Sequence, residues 1–585
     1  YDLASEQLSF VTDSGINPHF GPEGRIYLQE RNESAEGRGS STAITQLVSV
    51  DRAGQDKRTV AEAEFASEMR LSPDGNYVAF INQFQLHVAA RSQFGAGIDL
   101  DAAKPAFAVR RASKVGATYI AWSPDSESIS WSVGAEFKTA NINTLMNGDY
   151  ATPATGNNLS MQVAHAIPNT AVALTNARVI TMNDERAVIE NATVLIKGNR
   201  IESIARGTAV PEDYTEIDLA GKTIMPGIID AHAHGPYAGD DIIPQQNWNL
   251  LAHLALGVTT VHNPSSSAKS AFAAAEYART DRILGPRIFS TGEIVYGAKS
   301  TSWAPIDNLD DALAHVRRLA AQGAISVKNY NQPRREQRQQ VIEAARQEGL
   351  ISVAEGGSLY QLDMSMIADG ITGIEHNVPT LKMYDDVHQF WRQSGAGYTP
   401  TLVVTYGGLT SEDYFYQNTE VWKHPILSNF VPPSQLQARS VRRVTAPEED
   451  YRDDDSAAAA KILMDAGIMV NIGAHGQREG LASHWEMWSF ARGGFSPMEA
   501  LATATINPAR HLGMDKDIGS LEAGKLADLV IVDANPLDDI RNTDRISHVM
   551  INGRLYRAGD LSEEVTGTAT LSPFHWQTTP QGAIR

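Results

Sequence analysis

The chain has 585 residues, a formal net charge of −20, 42% hydrophobic residues and 20% charged ones. That length exceeds what one hydrophobic core serves, so two or three domains of ordinary globular composition are expected. The acidic balance excludes a nucleic-acid backbone as partner and disfavours anionic lipid, because either needs a basic surface.

The chain starts at Tyr1 with neither an initiator Met nor a signal peptide, which implies that a leading segment has been removed. An internal repeat follows. Asn17-Pro18-His19-Phe20-Gly21-Pro22-Glu23-Gly24-Arg25-Ile26-Tyr27-Leu28 resembles Met69-Arg70-Leu71-Ser72-Pro73-Asp74-Gly75-Asn76-Tyr77-Val78-Ala79-Phe80. Both resemble Ile120-Ala121-Trp122-Ser123-Pro124-Asp125-Ser126-Glu127-Ser128-Ile129-Ser130-Trp131, and the prolines Pro22, Pro73 and Pro124 fall 51 residues apart. Each unit reads as a strand, a tight turn in which Pro presets φ, and an alternating strand. The spacing suits one propeller blade per repeat, and the units resemble TolB-type β-propeller blades. Three blades leave a ring of four to eight open and its sheet edges exposed. The remaining blades are therefore expected on a preceding segment or on another chain; the other reading is a small irregular β-domain packed on the rest.

From about Asn169 the pattern changes. Residues 171–180 and 192–204 alternate as short strands, with Lys197-Gly198-Asn199-Arg200 as a turn. Strand-like runs then recur at 258–262, 324–328, 351–354, 371–375, 398–404 and 468–473, separated by helical patterns such as 334–347 and 457–466. Alternating β and α at this spacing predicts a parallel sheet, best closed as a (β/α)8 TIM barrel. An open doubly wound sheet loses, because no Gly-rich phosphate loop follows a strand. No apolar run approaches the length of a membrane span.

Chemistry concentrates in Met225-Pro226-Gly227-Ile228-Ile229-Asp230-Ala231-His232-Ala233-His234-Gly235. Positions i and i+2 of a strand share a face, so His232 and His234 point the same way, and at a barrel strand's C-terminal end that way is the active-site mouth. Two imidazoles suit a borderline metal such as zinc. With no cysteine in the chain, any metal must be held by His, carboxylate or a modified Lys. The Pro-Gly-x-Ile-Asp lead-in resembles the first-strand signature of the amidohydrolase superfamily. Ala504-Thr505-Ile506-Asn507-Pro508-Ala509-Arg510-His511-Leu512-Gly513 and Ile518-Gly519-Ser520-Leu521-Glu522-Ala523-Gly524-Lys525-Leu526-Ala527-Asp528 resemble its C-terminal hallmark, and Val549-Met550-Ile551-Asn552-Gly553-Arg554 its last strand. Imidazolonepropionase-like and Xaa-Pro dipeptidase-like members carrying a TolB-like propeller are the nearest in pattern.

The resemblance implies three parts: propeller blades over residues 1–168, a β-sandwich composed of 169–222 and 515–565, and the barrel over 223–514. It implies one or two divalent ions, zinc foremost with manganese or iron as alternatives. Ser326-Val327-Lys328-Asn329-Tyr330 resembles the fourth-strand segment whose Lys is carboxylated into an anionic ligand, and Gly373-Ile374-Glu375-His376-Asn377 the sixth strand that supplies a His. Two positions depart from the family. The fifth strand offers Glu355 in place of His, as ligand or general base. The eighth places His475 where an Asp is usual, as ligand or base. His232, His234, Lys328, His376, Glu355 and His475 are thus the expected metal ligands, Glu355 and His475 the expected catalytic pair, and Tyr330, His262, Tyr406 and His484 the expected substrate contacts. The implied reaction is hydrolysis of an amide C–N bond in a dipeptide or N-acyl amino acid. Deamination, lactone or phosphoester hydrolysis on the same barrel stays open, as does a propeller-based binding protein with a decayed site. TolB-like blades point to the periplasm or to secretion; a homo-oligomer is compatible with all of this.

Overall fold

The computed structural model describes residues 6, 8–34, 42–91, 97–100, 108–148, 155–239, 242–357, 359–567 and 571–578; Tyr1, where the lost leader is expected, lies outside them. The chain forms two compact units: Tyr1–Gln162 with Glu293–Gly323 and Asn329–Gly349, and Val163–Gly292 with Ala324–Lys328 and Leu350–Arg585.

In the first unit three largely antiparallel sheets follow the repeat. Ile16–Phe20, Ile26–Ser34, Thr42–Val50 and Arg58–Glu64 make the first, with Ile98–Asp99 added in parallel. Ala66–Leu71, Tyr77–Asn82, Gln85–Ala90 and Val109–Arg111 make the second, and Thr118–Trp122, Ser128–Val133, Glu136–Asn141 and Thr155–Asn158 the third. The turn chemistry is the same in two copies. Ser72 Oγ donates to Asp74 Oδ1 at 2.6 Å and accepts from Tyr77 N at 3.0 Å. Ser123 Oγ likewise donates to Asp125 Oδ1 at 2.6 Å and accepts from Ser128 N at 2.9 Å. Neighbouring repeats are tied at a constant offset: Leu71 N to His19 Nε2, Ile120 N to Glu68 Oε1 and Trp122 Nε1 to Arg70 O each span 52 residues. A propeller ring is not closed among the described residues. The helix Leu309–Gln322 belongs to this unit and lays Arg318 over the Phe84 ring at 3.9 Å.

The second unit is built on a sheet drawn from both flanks of its chain. Its order is Arg200–Arg206, Val188–Lys197, Ala171–Ile180, Thr223–Pro226, Leu529–Val532, Ile546–Ile551 and Arg554–Arg557, with Thr215–Asp218 also on Ala171–Ile180. Alternate residues from both flanks, including Val172, Leu174, Val194, Ile224, Leu529, Ile531 and Leu555, share one core, as period-2 patterning requires. The expected last strand over 549–554 is a hairpin instead: Asn552 and Gly553 turn with φ of 52° and 75° and divide it.

Beyond the sheet, strands run parallel. Ile228–Asp230 pairs with Val258–Asn263, and that with Arg287–Ser290. Ser326–Lys328 neighbours Ile351–Glu355, which pairs with Gly373–Glu375, and that with Gly397–Thr399. The run expected at 398–404 ends early in a 3-10 turn, Leu402–Val404. The run at 468–473 forms only the bridge Tyr398↔Val470, so a continuous barrel ladder does not close among the described residues. No helix of the described residues is long and apolar enough to cross a membrane.

Asp528, next to Leu529–Val532, ties the flanking sheet to the parallel strands: it accepts from Arg287 Nε at 2.6 Å and Nη2 at 3.1 Å, and from Asn552 N at 2.7 Å. Asp528→Asn leaves a largely buried guanidinium without its counter-charge. A loss of about 3 kcal/mol is expected, read as a lower urea midpoint.

Candidate metal centre

Three side chains descend the first parallel strand and its extension on one face: Asp230, His232 and His234. The lowest, Asp230, is fully buried and works on backbone. Its Oδ1 accepts from His232 N and Ala474 N, each at 3.1 Å, and its Oδ2 from Ser483 Oγ at 3.2 Å. His475 N donates to the His232 carbonyl at 2.7 Å. One carboxylate thereby staples the loop bearing His232 to the loop bearing His475. Glu486, on the buried helix Leu481–Arg492, does the same from beneath, accepting from Val403 N at 2.7 Å and Gly473 N at 3.3 Å. Burial raises Asp230 above the usual carboxylate range and pushes Glu486 up to about 8, against these backbone donors.

The ligand atoms of His232, His234 and His475 all lie within 4.8 Å of one another. The ring centroids of His376 and His232 are 4.9 Å apart, and those of His376 and His475 5.0 Å. Both His376 and His475 stand in the left-handed region, at φ 69° and 56°, a conformation that costs energy outside glycine and collects at functional sites. Glycine makes room: a Cβ on Gly473 would lie 2.7 Å from His232 Cβ, and one on Gly476 2.8 Å from His234 Cβ.

Hydrogen bonds orient the rings. Asn263 Oδ1 accepts from Ser265 N at 2.9 Å while its Nδ2 donates to the Tyr237 hydroxyl at 3.2 Å, which fixes its amide. That oxygen faces His234 Nδ1 at 3.1 Å and can only accept, so Nδ1 holds the proton and Nε2 its lone pair. His376 Nδ1 meets Thr401 Oγ1 at 2.7 Å, and His232 Nδ1 meets Glu375 Oε2. Burial, followed by the charge of Lys328, holds His232 well below the ordinary imidazole value; burial, then the neighbouring imidazoles, takes His475 down to about 3. His232, His234 and His475, all held towards the neutral form, with the His234 Nε2 lone pair left free, suit a borderline divalent ion, so the donor set fits a metal.

Glu355 lies beside this group, 16% exposed at the side chain. Its Oε2 is 2.8 Å from Lys328 Nζ and its Oε1 3.3 Å from His376 Nε2. Burial alone would raise it, but the hydrogen bond from His376 and the charge of Lys328 outweigh burial and hold it down to about 2. Lys328, His376, Glu355 and His475, expected as ligands, are therefore gathered with His232 and His234. Tyr406 stacks on His376 with centroids 5.5 Å apart.

Two of the other expected substrate contacts, His262 and His484, bond to backbone and scaffold groups. His262 donates from Nδ1 to the Ala231 carbonyl at 3.0 Å, and its Nε2 takes Ser326 Oγ at 2.7 Å. His484 is buried with Nε2 on the Leu256 carbonyl at 2.9 Å. Both rings thus brace the scaffold where substrate contact was expected, because the residues around strand ends are packed as tightly as the core. Tyr330 belongs to the first unit, edge-on to Tyr296 at 5.3 Å. Asp230, Asn263, Glu375, Thr401 and Glu486 carry roles that motif reading passed over. A separate cavity lined by His165, Arg279, Arg287, Arg554 and Tyr556 has Arg287 on Asp528 and Arg554 on Asp281 and includes none of His232, His234, His376 and His475.

Parallel strands bringing convergent imidazoles and an ionised carboxylate to their C-terminal ends are the framework of a metal-dependent hydrolase. A model of the amidohydrolase family matches residues 223–556, more than half of the chain; the chain belongs to the amidohydrolase family, and it is an enzyme acting on carbon–nitrogen bonds. It is 23% identical over 423 residues to a 5-methylthioadenosine/S-adenosylhomocysteine deaminase of Bacillus cereus (strain 03BB102), covering 65% of this chain and 92% of that one. A solved Xaa-Pro dipeptidase with methionine in its active site matches with a TM-score of 0.51 and 21% identity over 66% of this chain and 100% of the other. Phenylurea hydrolase B matches with a TM-score of 0.50 and 20% identity over 66% and 96%. At these identities the two structures establish likeness of fold alone.

Because Gly473 is closed against His232, Gly473→Ala should spread the imidazoles at a stability cost of about 1–3 kcal/mol. The folded variant is expected to lose retained divalent metal, read by elemental analysis after gel filtration.

Proposed function

We propose that the chain hydrolyses the amide bond of a small N-acyl amino acid or dipeptide at a divalent centre held by His232, His234 and His475, on parallel strands that close as a barrel. The observation that carries this is the meeting of those three sets of ligand atoms within 4.8 Å. A divalent ion there would supply Lewis acidity, lowering the pKa of water towards about 7. His376 adjoins the triad and turns its Nε2 to Glu355.

Glu355 is the proton acceptor in this reading. It is ionised, reachable from solvent and held in place from two sides, whereas the His475 ring is engaged with the other ligand imidazoles. Its carboxylate takes the proton from water and returns it to the leaving nitrogen. Glu355 also places beside Lys328 the anionic oxygen that a carboxylated Lys328 would otherwise provide. Tyr406, exposed at the mouth and stacked on His376, offers a face and a hydroxyl to the substrate. The deaminase-named relatives favour a second reading, release of ammonia from an amino-substituted ring by the same groups.

The N-terminal sheets are read as propeller blades completed by a preceding segment or another chain, and the periplasm or exterior as the place of work.

His232→Ala and His475→Ala should lose metal and turnover together. Glu355→Gln should keep metal while its turnover falls about 10²–10⁴-fold. Full activity in either His variant would overturn the centre. A panel of N-acyl amino acids, Xaa-Pro dipeptides and aminopurine nucleosides, scored for free amino acid against ammonia with and without chelator, separates the two readings.

A further inference from the structure

Glu375 is absent from every ligand or base assignment above, yet it touches the centre. It ends the strand Gly373–Glu375, immediately before His376, and both it and His232 have side chains 1% exposed. Its Oε2 meets His232 Nδ1. Its Oε1 is buried with no hydrogen-bond partner. A carboxylate kept for scaffolding alone would be an expensive choice at such a place, since an unpartnered buried oxygen loses its hydration without return.

We infer that Glu375 is the positioning residue of His232: its carboxylate accepts the Nδ1 proton and thereby turns the Nε2 lone pair to the centre. A neutral imidazole has one proton to place. If Nε2 gives its lone pair to a cation, Nδ1 must carry that proton, and it needs an acceptor. Glu375 is the acceptor in place. His234 is treated alike but by a neutral partner, Asn263. Of these two, His232 alone has its Nδ1 on a group able to carry full negative charge. It is also the most deeply enclosed of the His232, His234 and His475 set. Burial favours the neutral acid at Glu375 and the charge of Lys328 opposes it; a cation at the centre would add to that positive charge, and the carboxylate would then raise the donor strength of the ligand farthest from water.

The inference rests on the metal-centre reading, and one experiment separates the two. Cobalt(II) affinity is measured by chelator competition on whole, metal-stripped protein, together with the visible d–d spectrum, for wild type, Glu375→Gln and Glu375→Asp. Glu375→Gln keeps the shape but replaces the anion with a neutral amide; its affinity should fall about 10- to 100-fold with an altered d–d band and an unchanged far-ultraviolet circular dichroism spectrum. Glu375→Asp keeps the charge and should recover part of the loss, which a purely structural role would not produce. If Glu375→Gln is recovered unfolded, Glu375→Asp decides alone: a shifted d–d band with weaker cobalt binding supports the role, and a wild-type band and affinity overturn it. Equal cobalt affinity in wild type and folded Glu375→Gln overturns the inference and leaves the centre standing. Failure of wild type to bind cobalt overturns the centre itself.

Discussion

Several ionisable groups have to share a space from which water is largely excluded, and the fold around them answers that constraint. Asp230, Glu375 and Glu486 are fully enclosed, and burial drives each towards its neutral form. Each buried polar group must find a partner or impose its desolvation cost on the protein. The chain meets this by spending carboxylates on backbone. Asp230 takes N–H groups from the loops of His232 and Ala474, and Glu486 takes them from Gly473 in that second loop and from Val403 in a third. These bonds explain how His475 can be held in a strained left-handed conformation: the residues just before it, Gly473 and Ala474, are fixed by two carboxylates.

Much of this was legible beforehand. The strand over 171–180 falls where alternation places it, Ala171–Ile180, and the helix over 334–347 appears as Arg335–Gln347. The paired imidazoles follow from strand periodicity and the apolar run before them. Other features were hidden for physical reasons. Glu375 and His376 are adjacent, so a period of two sends them to opposite faces. The φ of 69° at His376 ends the strand and breaks that rule, letting both side chains serve one cluster. Asp230 was within reach, since it shares a face with His232 and sits in an otherwise apolar run. Glu486 was not: a carboxylate in a helix reads as surface until the helix proves buried throughout. The hairpin inside 549–554 was missed because Asn552-Gly553 was read as strand although it is a turn dipeptide.

Two groups from different strands set the charge of the cluster together. Position 475 contributes a neutral imidazole, and position 355 contributes negative charge paired with Lys328 and His376.

The sheet of the second unit has a consequence for biosynthesis. Thr223–Pro226 lies in register with Leu529–Val532, so a strand emerging early from the ribosome waits for one translated some three hundred residues later. At about 5–20 residues per second, the exposed edge beside the His232 segment stays unpaired for tens of seconds. Nascent chains of this protein therefore pass through a long interval with an open, apolar β-edge, a window in which holdase chaperones have the most to protect.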